Sequence, residues 1–553
     1  MKKNYLLLLI LLPFFTYCQD ILWEKSYGGQ QADYLFDAQP TADYGFILAG
    51  SSLSNKTGNK DDDNHGDLDY WIWKMNEKGD LDWQKSIGGS GFDLLQSIKN
   101  TKDGGFILAG TSSSESGFQK GEACKGITDF WVIKLDASGT EQWQRTIGGN
   151  GQEELLCAFQ TKDGGYILGG SSGSNPPIIS NMKPDGKSTV TTKADLYNKS
   201  EKSRGNMDYW VVKLSNEGVI EWQKTYGGKY ADLLRSMEQT ADNGYILAGY
   251  SSSPISGDKT QANKGVGDYW IIKINDVGEM QWQNTYGAEG DDQPYVIHQT
   301  FDGGYIVGGN SNSKNALTTQ GGIVGNGTDF WVLKLDEEGG VIWSKTYDFG
   351  KTDILTSLVE NKDNTYLLGG HAKTESGRSL VNKVAKAAGA GKEKDGIDDY
   401  IALKIDGKGE EIWKKTIGSA GEDILRKVIE TRDGGYLMAG TSNSNSSKDK
   451  NSNIGSNDFW VVKLKDKTKV EKVKASIEAI PNPASTYTNI IIGHDFKSGT
   501  ATVVDISGRI LQEFSITSRT VPVDLSRYSE GIYIINIKTD IKTESVKVIK
   551  SIH

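Results

Sequence analysis

The chain is poor in the residues that most often carry chemistry or staple small folds. Its 553 residues include three cysteines, five histidines and ten prolines. So few cysteines exclude a disulfide-dense scaffold and the paired-cysteine spacing of a zinc ribbon. Beyond Cys18 only Cys124 and Cys157 remain. Cys124 falls in a loop, and Cys157 falls in the strand-like run "ELLCAFQT", where a small buried thiol is common. Their pairing is left open, and no metal site is implied. The histidines, His65, His298, His371, His494 and His553, stand in different parts of the chain without ligand spacing. No G-x-S-x-G elbow occurs, and no cysteine has a histidine partner suited to nucleophilic chemistry. Positive charge is also in short supply. Lys and Arg total 62 against 72 Asp and Glu, a net charge of −10. That balance argues against nucleic acid as a partner, because phosphate binding needs a basic surface.

Long apolar runs are missing too, apart from one at the start. "MKKNYLLLLILLPFFTYCQD" places Lys2 and Lys3 before an apolar stretch from Leu6 to Phe15. It reads as a secretory signal and is too short to span a membrane. The small residues Thr16 and Cys18 place cleavage between Cys18 and Gln19. A lipid anchor on Cys18 is the alternative, disfavoured by the bulky Tyr17. No later run is long enough to cross a bilayer as a helix.

Glycine and tryptophan are abundant, at 67 and 14 residues, and both fall into a repeat. "DYWVVKL" at Asp208 has close copies at Asp69, Asp129, Asp268, Asp329, Asp399 and Asp458. Around each copy the same order returns from Ile21 to about Leu464, with a period near 60 residues and longer third and sixth copies. Each copy contains four short runs rich in β-branched and aromatic residues: "DWQKSIGG", "DLLQSIKNT", "GFILAGTSS" and "DFWVIKLD". "DGG" at Asp103, Asp163, Asp302 and Asp433 marks a tight hairpin, since Gly accepts positive φ.

Seven copies of four antiparallel strands predict an all-β chain, a seven-bladed β-propeller. A linear β-solenoid would require end caps, which are missing. Instead the array begins with a lone Trp strand, Ile21 to Tyr27, and ends with the Asp458 motif, so the first strand can complete the last blade. The aromatic and Trp of "DYW" are expected to wedge between blades, except in the sixth copy, where Ile401 replaces Trp.

Two acidic columns begin strands. One is Asp33, Asp93, Glu153, Asp232, Asp292, Asp353 and Asp423; the other is the Asp that opens each "DYW" motif. An acid present in every copy is expected to serve the blade by accepting backbone N–H groups. The lysine column (Lys74, Lys134, Lys213, Lys273, Lys334, Lys404, Lys463) should meet Asp43, Asp103 and their equivalents at the "DGG" hairpins. No carboxylate pair stands apart from the columns. Neither catalytic, cofactor-binding nor metal-ligating residues are assigned. Calcium is the candidate cofactor, at "DDDNHGDLD" (Asp61 to Asp69), although that loop lacks the spacing of a calcium-binding loop. The loop between the third and fourth strands varies most, and it is longest at 174–204 and 373–394. The functional face is therefore expected to carry these insertions.

The repeats resemble the bacterial β-propeller repeats (SBBP-like) of secreted and surface proteins, a likeness that implies fold and not ligand. After the charged linker 467–476, residues 477–553 alternate as a small Ig-like β-sandwich. "PNPAS" at Pro481, "VVDISGRIL" at Val503, "DLSRYSEGIYIINI" at Asp524 and the closing "TESVKVIK" resemble the type A C-terminal sorting domain of the type IX secretion system of Bacteroidota. Its motif residues here are Pro481, Asn482, Pro483, Gly508, Gly531, Tyr533 and Lys547. The resemblance implies export through the periplasm by the type IX translocon and its shuttle, to the outer-membrane surface or the medium. The resulting expectation is a signal peptide at 1–18, a propeller at 19–466 and a sorting domain at 477–553. Such a chain would be a surface or secreted binding protein for a glycan or protein ligand. A polysaccharide-acting hydrolase or lyase and a structural matrix component are the alternatives.

Overall fold

The computed structural model describes residues 19–176, 198–313, 327–373, 398–467 and 474–551. Within residues 19–467 the described strands form seven four-stranded antiparallel sheets. Sheet 1 runs in the order Asp33–Pro40, Phe46–Ser52, Asp69–Met75 and Leu81–Ile87. Each of the next five sheets repeats it, so every sheet borrows its outermost strand from the Trp run that opens the next copy of the repeat. Sheet 7 has no following copy, and Asp20–Tyr27 supplies the missing strand by pairing with Asp458–Lys465. Neighbouring innermost strands pack on one another around the whole ring, and that of sheet 1 closes on that of sheet 7.

The wedge expected from "DYW" holds the sheets together. Tyr70 lies 4.8 Å from Trp131 of the next sheet, and Phe130–Trp210, Tyr209–Trp270, Tyr269–Trp331 and Tyr400–Trp460 repeat the contact at 4.6–5.0 Å. These tryptophans are fully buried, and each removes roughly 150–250 Å² from water. In sheet 6 Ile401 leaves Phe330 without a tryptophan, and Phe349 packs against Phe330 instead, at 5.1 Å. The hairpins have the expected geometry: the first Gly of "DGG" has φ +81° at Gly104 and +94° at Gly164.

Residues 474–551 form a second unit. A three-stranded sheet (Ile477–Ile480, Tyr487–Ile492, Thr520–Asp524) and a four-stranded sheet (Ile510–Ile516, Gly499–Asp505, Gly531–Thr539, Thr543–Lys550) enclose a core that includes Ile490, Val503, Val521, Ile535 and Val548. This unit rests on the hairpin side of the ring. Arg519 donates to the Glu77 carboxylate at 2.8 Å and to the Asp43 carbonyl at 2.6 Å, while Lys474 reaches Glu77 at 2.7 Å. Arg432 pairs with Glu478 at 2.6 Å and lies over the Tyr44 ring. No described helix is long and apolar enough to cross a membrane.

Candidate functional site

Most of the charge that recurs in the sequence is consumed by the ring. The first acidic column caps the crossing between sheets: Asp33 accepts the Gly29 N–H at 2.7 Å, Asp93 that of Gly89 at 2.7 Å and Glu153 that of Gly149 at 2.9 Å. The second column does the same for the loop before its strand, with His65 donating to Asp69 at 2.7 Å and Ile454 to Asp458 at 2.8 Å. Burial pushes these carboxyls up, Asp69 to about 6 and Glu153 to about 7. The lysine column meets the hairpin acids as the spacing implied: Lys74–Asp43 at 2.9 Å, Lys134–Asp103 at 2.8 Å and Lys213–Asp163 at 3.0 Å. The acidic columns, Asp329 apart, and the lysine column are spent on structure.

The exception lies on the ring axis. Every innermost strand carries a β-bulge at the same place, between Leu35 and Asp37 in sheet 1 and between Leu425 and Lys427 in sheet 7. A bulge re-aims one side chain, and here the bulged residues of all seven sheets line one axial cavity of about 400 Å³. In sheets 1 to 4 they are Phe36, Gln96, Leu156 and Arg235. In sheets 5 to 7 they are Tyr295, Thr356 and Arg426. Seven equivalent positions thus hold six residue types. This is the asymmetry a directional ligand site requires, in a pocket of ordinary ligand-binding size.

The cavity is electropositive although the chain is acidic. Lys99, Arg235, Arg426 and Lys427 line it against Asp37 and Glu238. Asp37 is already engaged, 3.1 Å from Lys99 and 3.8 Å from Lys427. Burial works to raise its pKa, yet these two ammonium groups hold it below the usual range. Burial, reinforced by Lys99, pushes Lys427 down to about 8. Glu238 accepts from His298 at 2.9 Å and from the Gln299 N–H at 3.0 Å. Arg235 keeps a buried Nε without a hydrogen-bond partner. Arg426 lies 5.5 Å from the Phe36 ring, and burial lowers its pKa. Two guanidiniums therefore reach one cavity with no carboxylate of their own among the described residues. Such groups cost free energy to bury unpaired and favour an anion between them.

The other expectations fall elsewhere. Cys124 and Cys157 are both free thiols, and burial pushes each up to about 12. His371 is buried with an unpartnered Nδ1 and lowered to about 4, by burial and then by Arg426. The acids of the Asp61–Asp69 loop bind separate partners: Asp61 accepts from Gln84 at 2.9 Å and Asp63 from the Lys56 N–H at 3.0 Å. One acid outside the columns does join two of their members. Asp348 joins Asp329 and Asp353 with ligand atoms all within 4.8 Å of one another. It occupies a glycine position of the repeat, so no recurring acid marks it in the sequence. Cys18 and the insertions, apart from their edges, lie outside the described residues, and Gln19 is the first residue described.

In the C-terminal unit, Asn482 fastens the "PNP" loop to the last strand. Its Nδ2 donates to the Lys547 carbonyl at 2.7 Å, and its Oδ1 accepts the Ile549 N–H at 2.9 Å. Pro481 and Pro483 flank it. Gly508 turns one hairpin with φ +85°, Gly531 opens the strand Gly531–Thr539, and Tyr533 donates to the Ser529 carbonyl at 2.6 Å.

These observations meet the known proteins at one decisive point. Residues 478–551 match the family of secretion system C-terminal sorting domains. The match indicates export by the type IX secretion system to the cell surface or beyond, and so an interaction with that system. No curated protein matches the chain. Among solved structures the ring is similar to the WD40 domain of Neurospora crassa Pan2, at 8% identity over 80% of this chain and 91% of that one, with a TM-score of 0.38. Sqt1 from Chaetomium thermophilum follows at 11% identity, 79% and 87% coverage and a TM-score of 0.38. A Synechocystis apocarotenoid oxygenase mutant follows at 12% identity, 79% and 95% coverage and a TM-score of 0.36.

Proposed function

We propose that the chain is a secreted or surface-held seven-bladed β-propeller that binds an anionic extracellular ligand on its axis. In this reading residues 1–18 are a signal peptide cleaved between Cys18 and Gln19, residues 19–466 are the propeller, and residues 477–553 are an Ig-like sorting unit. The route runs through the periplasm of a bacterium of the Bacteroidota type. The observation that carries the binding role is the ring of bulged residues: seven equivalent positions, Arg235 and Arg426 among them, face one cavity with an excess of two positive charges. Recurring charge is spent on structure, so a site is sought where the copies differ, and here the difference is concentrated at a single level of the axis. Extracellular anions rich in carboxylate or sulfate, such as acidic glycans or acidic protein segments, suit paired guanidiniums.

The test is an array of neutral, carboxylated and sulfated glycans and acidic peptides, probed with residues 19–553 and with the variants Arg235→Met and Arg426→Met. Binding confined to anionic probes, weakened at least tenfold in each variant and falling with salt, supports the reading. Binding to neutral probes that both variants retain overturns it.

A further inference from the structure

The passage from sheet 5 to sheet 6 departs from the other six in one respect that has a chemical consequence. Elsewhere the strand that closes a sheet is followed by a Gly packed on the second-column Asp. A Cβ added at Gly88 would lie 2.0 Å from Asp69 Oδ1, at Gly148 1.9 Å from Asp129, at Gly227 1.9 Å from Asp208 and at Gly418 1.8 Å from Asp399. Gly28 and Gly287 repeat the arrangement on Asp458 and Asp268. At the seventh crossing the residue is Asp348. A second carboxylate has therefore been placed beside Asp329, at the position where the fold otherwise requires a hydrogen, and Asp353 begins the next sheet alongside.

Asp329 is fully buried, and neither of its carboxylate oxygens has a hydrogen-bond partner among the described residues. Its counterparts Asp69, Asp268 and Asp458 each accept a backbone N–H from the residue four before. Asp353 accepts the Phe349 N–H at 2.6 Å and, like Asp33, Asp93 and Asp232 of its column, keeps one buried oxygen unpartnered among the described residues.

The second difference is a missing cation. In sheets 1, 2, 3, 4 and 7 a lysine almost wholly withdrawn from water lies beside both column acids of its sheet: Lys60, Lys120, Lys199, Lys259 and Lys450. Each of the first four stands nine residues before its second-column Asp, and the residue at that distance from Asp329 is Gln320. Between Ser311 and Asp329 the one lysine in the sequence is Lys314, fifteen residues before Asp329 and outside the described residues. Among the described residues, the charged neighbour acting on Asp329 is Asp348, a like charge. Three carboxylates gathered without a counter-ion among the described residues, one of them buried with both oxygens free, make a costly arrangement unless a cation joins them.

We propose that Asp329, Asp348 and Asp353 form a calcium site that joins sheet 5 to sheet 6. The ligands are all carboxylate oxygens, the set preferred by a hard cation. Their ligand atoms all lie within 4.8 Å of one another, close enough to share one Ca²⁺ at roughly 2.3–2.6 Å from each. The inference is independent of any ligand on the axis.

The experiment uses residues 19–553 freed of metal with EDTA and titrated calorimetrically with CaCl₂ and separately with MgCl₂, with thermal unfolding followed in parallel. The expected result is one Ca²⁺ per chain, a higher Tm with Ca²⁺, and Mg²⁺ binding at least about tenfold weaker. Asp348→Gly restores the residue used at the other six crossings. It should fold, lose calcium binding by at least about tenfold, and without metal melt above the metal-free wild type, since a like charge has been removed. Asp348→Asn gives the same readout of binding should the glycine variant fail to fold. No binding up to about 10 mM CaCl₂, weaker than extracellular calcium modules require, overturns the proposal. Undiminished calcium binding in the Asp348 variants also overturns it.

Discussion

The ring of Phe459 lies 4.6 Å from that of Trp71, across the seam between the seventh sheet and the first. The contact is the same aromatic-on-tryptophan wedge that joins Tyr70 to Trp131, but its partners are separated by nearly the whole ring in sequence. The seam is completed by Asp20–Tyr27, whose Glu24 accepts from the Trp460 indole at 2.8 Å. Removing residues 19–28 should therefore destabilise the entire ring and not only its edge. Trp71→Ala should cost about 3–5 kcal/mol, the range for truncating a buried aromatic. Chemical denaturation of each variant against wild type checks this. A change under about 1 kcal/mol for the deletion would mean that the first strand does not close the ring.

Stability should respond to pH in an unusual direction. Glu153 is buried, accepts from Gly149 and Ser172, and burial raises its pKa to about 7, with Asp129 nearby adding to the rise. The facing groups are Asp129 from the preceding sheet and Lys199. A folded-state pKa above the unfolded value means that the native state binds the extra proton. The stability this provides is full below about 4.3 and is lost as pH rises towards 7. One such group contributes at most about 1.4 kcal/mol per pH unit. Unfolding free energies measured between pH 5 and 7 should fall with rising pH, and Glu153→Gln should flatten part of that slope. An unchanged slope in the variant would remove Glu153 from the explanation.

Phe349 and Ile401 form a compensating pair. Where six sheets present a tryptophan to the preceding aromatic, the sixth presents Ile401, and Phe349 fills the space beside Phe330. Phe349→Gly alone should cost about 2–4 kcal/mol through the cavity it leaves. Ile401→Trp alone should cost about 1–3 kcal/mol through overpacking. The double variant rebuilds the arrangement of the other sheets and should be more stable than the sum of its parts, with a coupling of about 0.5–3 kcal/mol. Additive losses in a double-mutant cycle would show that the two side chains do not share one space.

What could be read from the chain was what it repeats. The wedge, the lysine-to-hairpin pairs and the carboxylates capping each crossing recur about every 60 residues, and seven chances to see one residue in one place make its role plain. The exceptions were harder to see. The bulged residues Phe36 to Arg426 look like noise in a strand until the backbone turns them to one axis, although a column that varies between constant neighbours is itself a signal. Asp348 and Phe349 stand where most copies have a Gly-Gly pair, outside the acidic columns, so no recurring pattern marks them. The contact of Arg519 with Glu77 joins residues 442 apart in sequence, and no local pattern announces it.

That contact bears on export. The C-terminal unit is attached to the ring by charged groups, with Arg519 and Lys474 converging on Glu77, which they hold near 2 against the opposing effect of burial. It has a separate hydrophobic core built from its own strands. A unit that completes its own core can fold without the ring, and a polar contact can be released at little cost to either partner. Two outcomes follow. Arg519→Ala should leave the Tm of the ring unchanged while exposing residues 467–476 to faster proteolysis, a difference that should shrink as added salt weakens the wild-type contact. Fusing residues 467–553 behind a signal peptide and a reporter should carry the reporter across the outer membrane of a host with a type IX system, because the sorting information lies in the unit and not in its seat on the ring. A reporter retained in the periplasm, while the full-length chain is exported from the same host, would show that the ring is part of the signal.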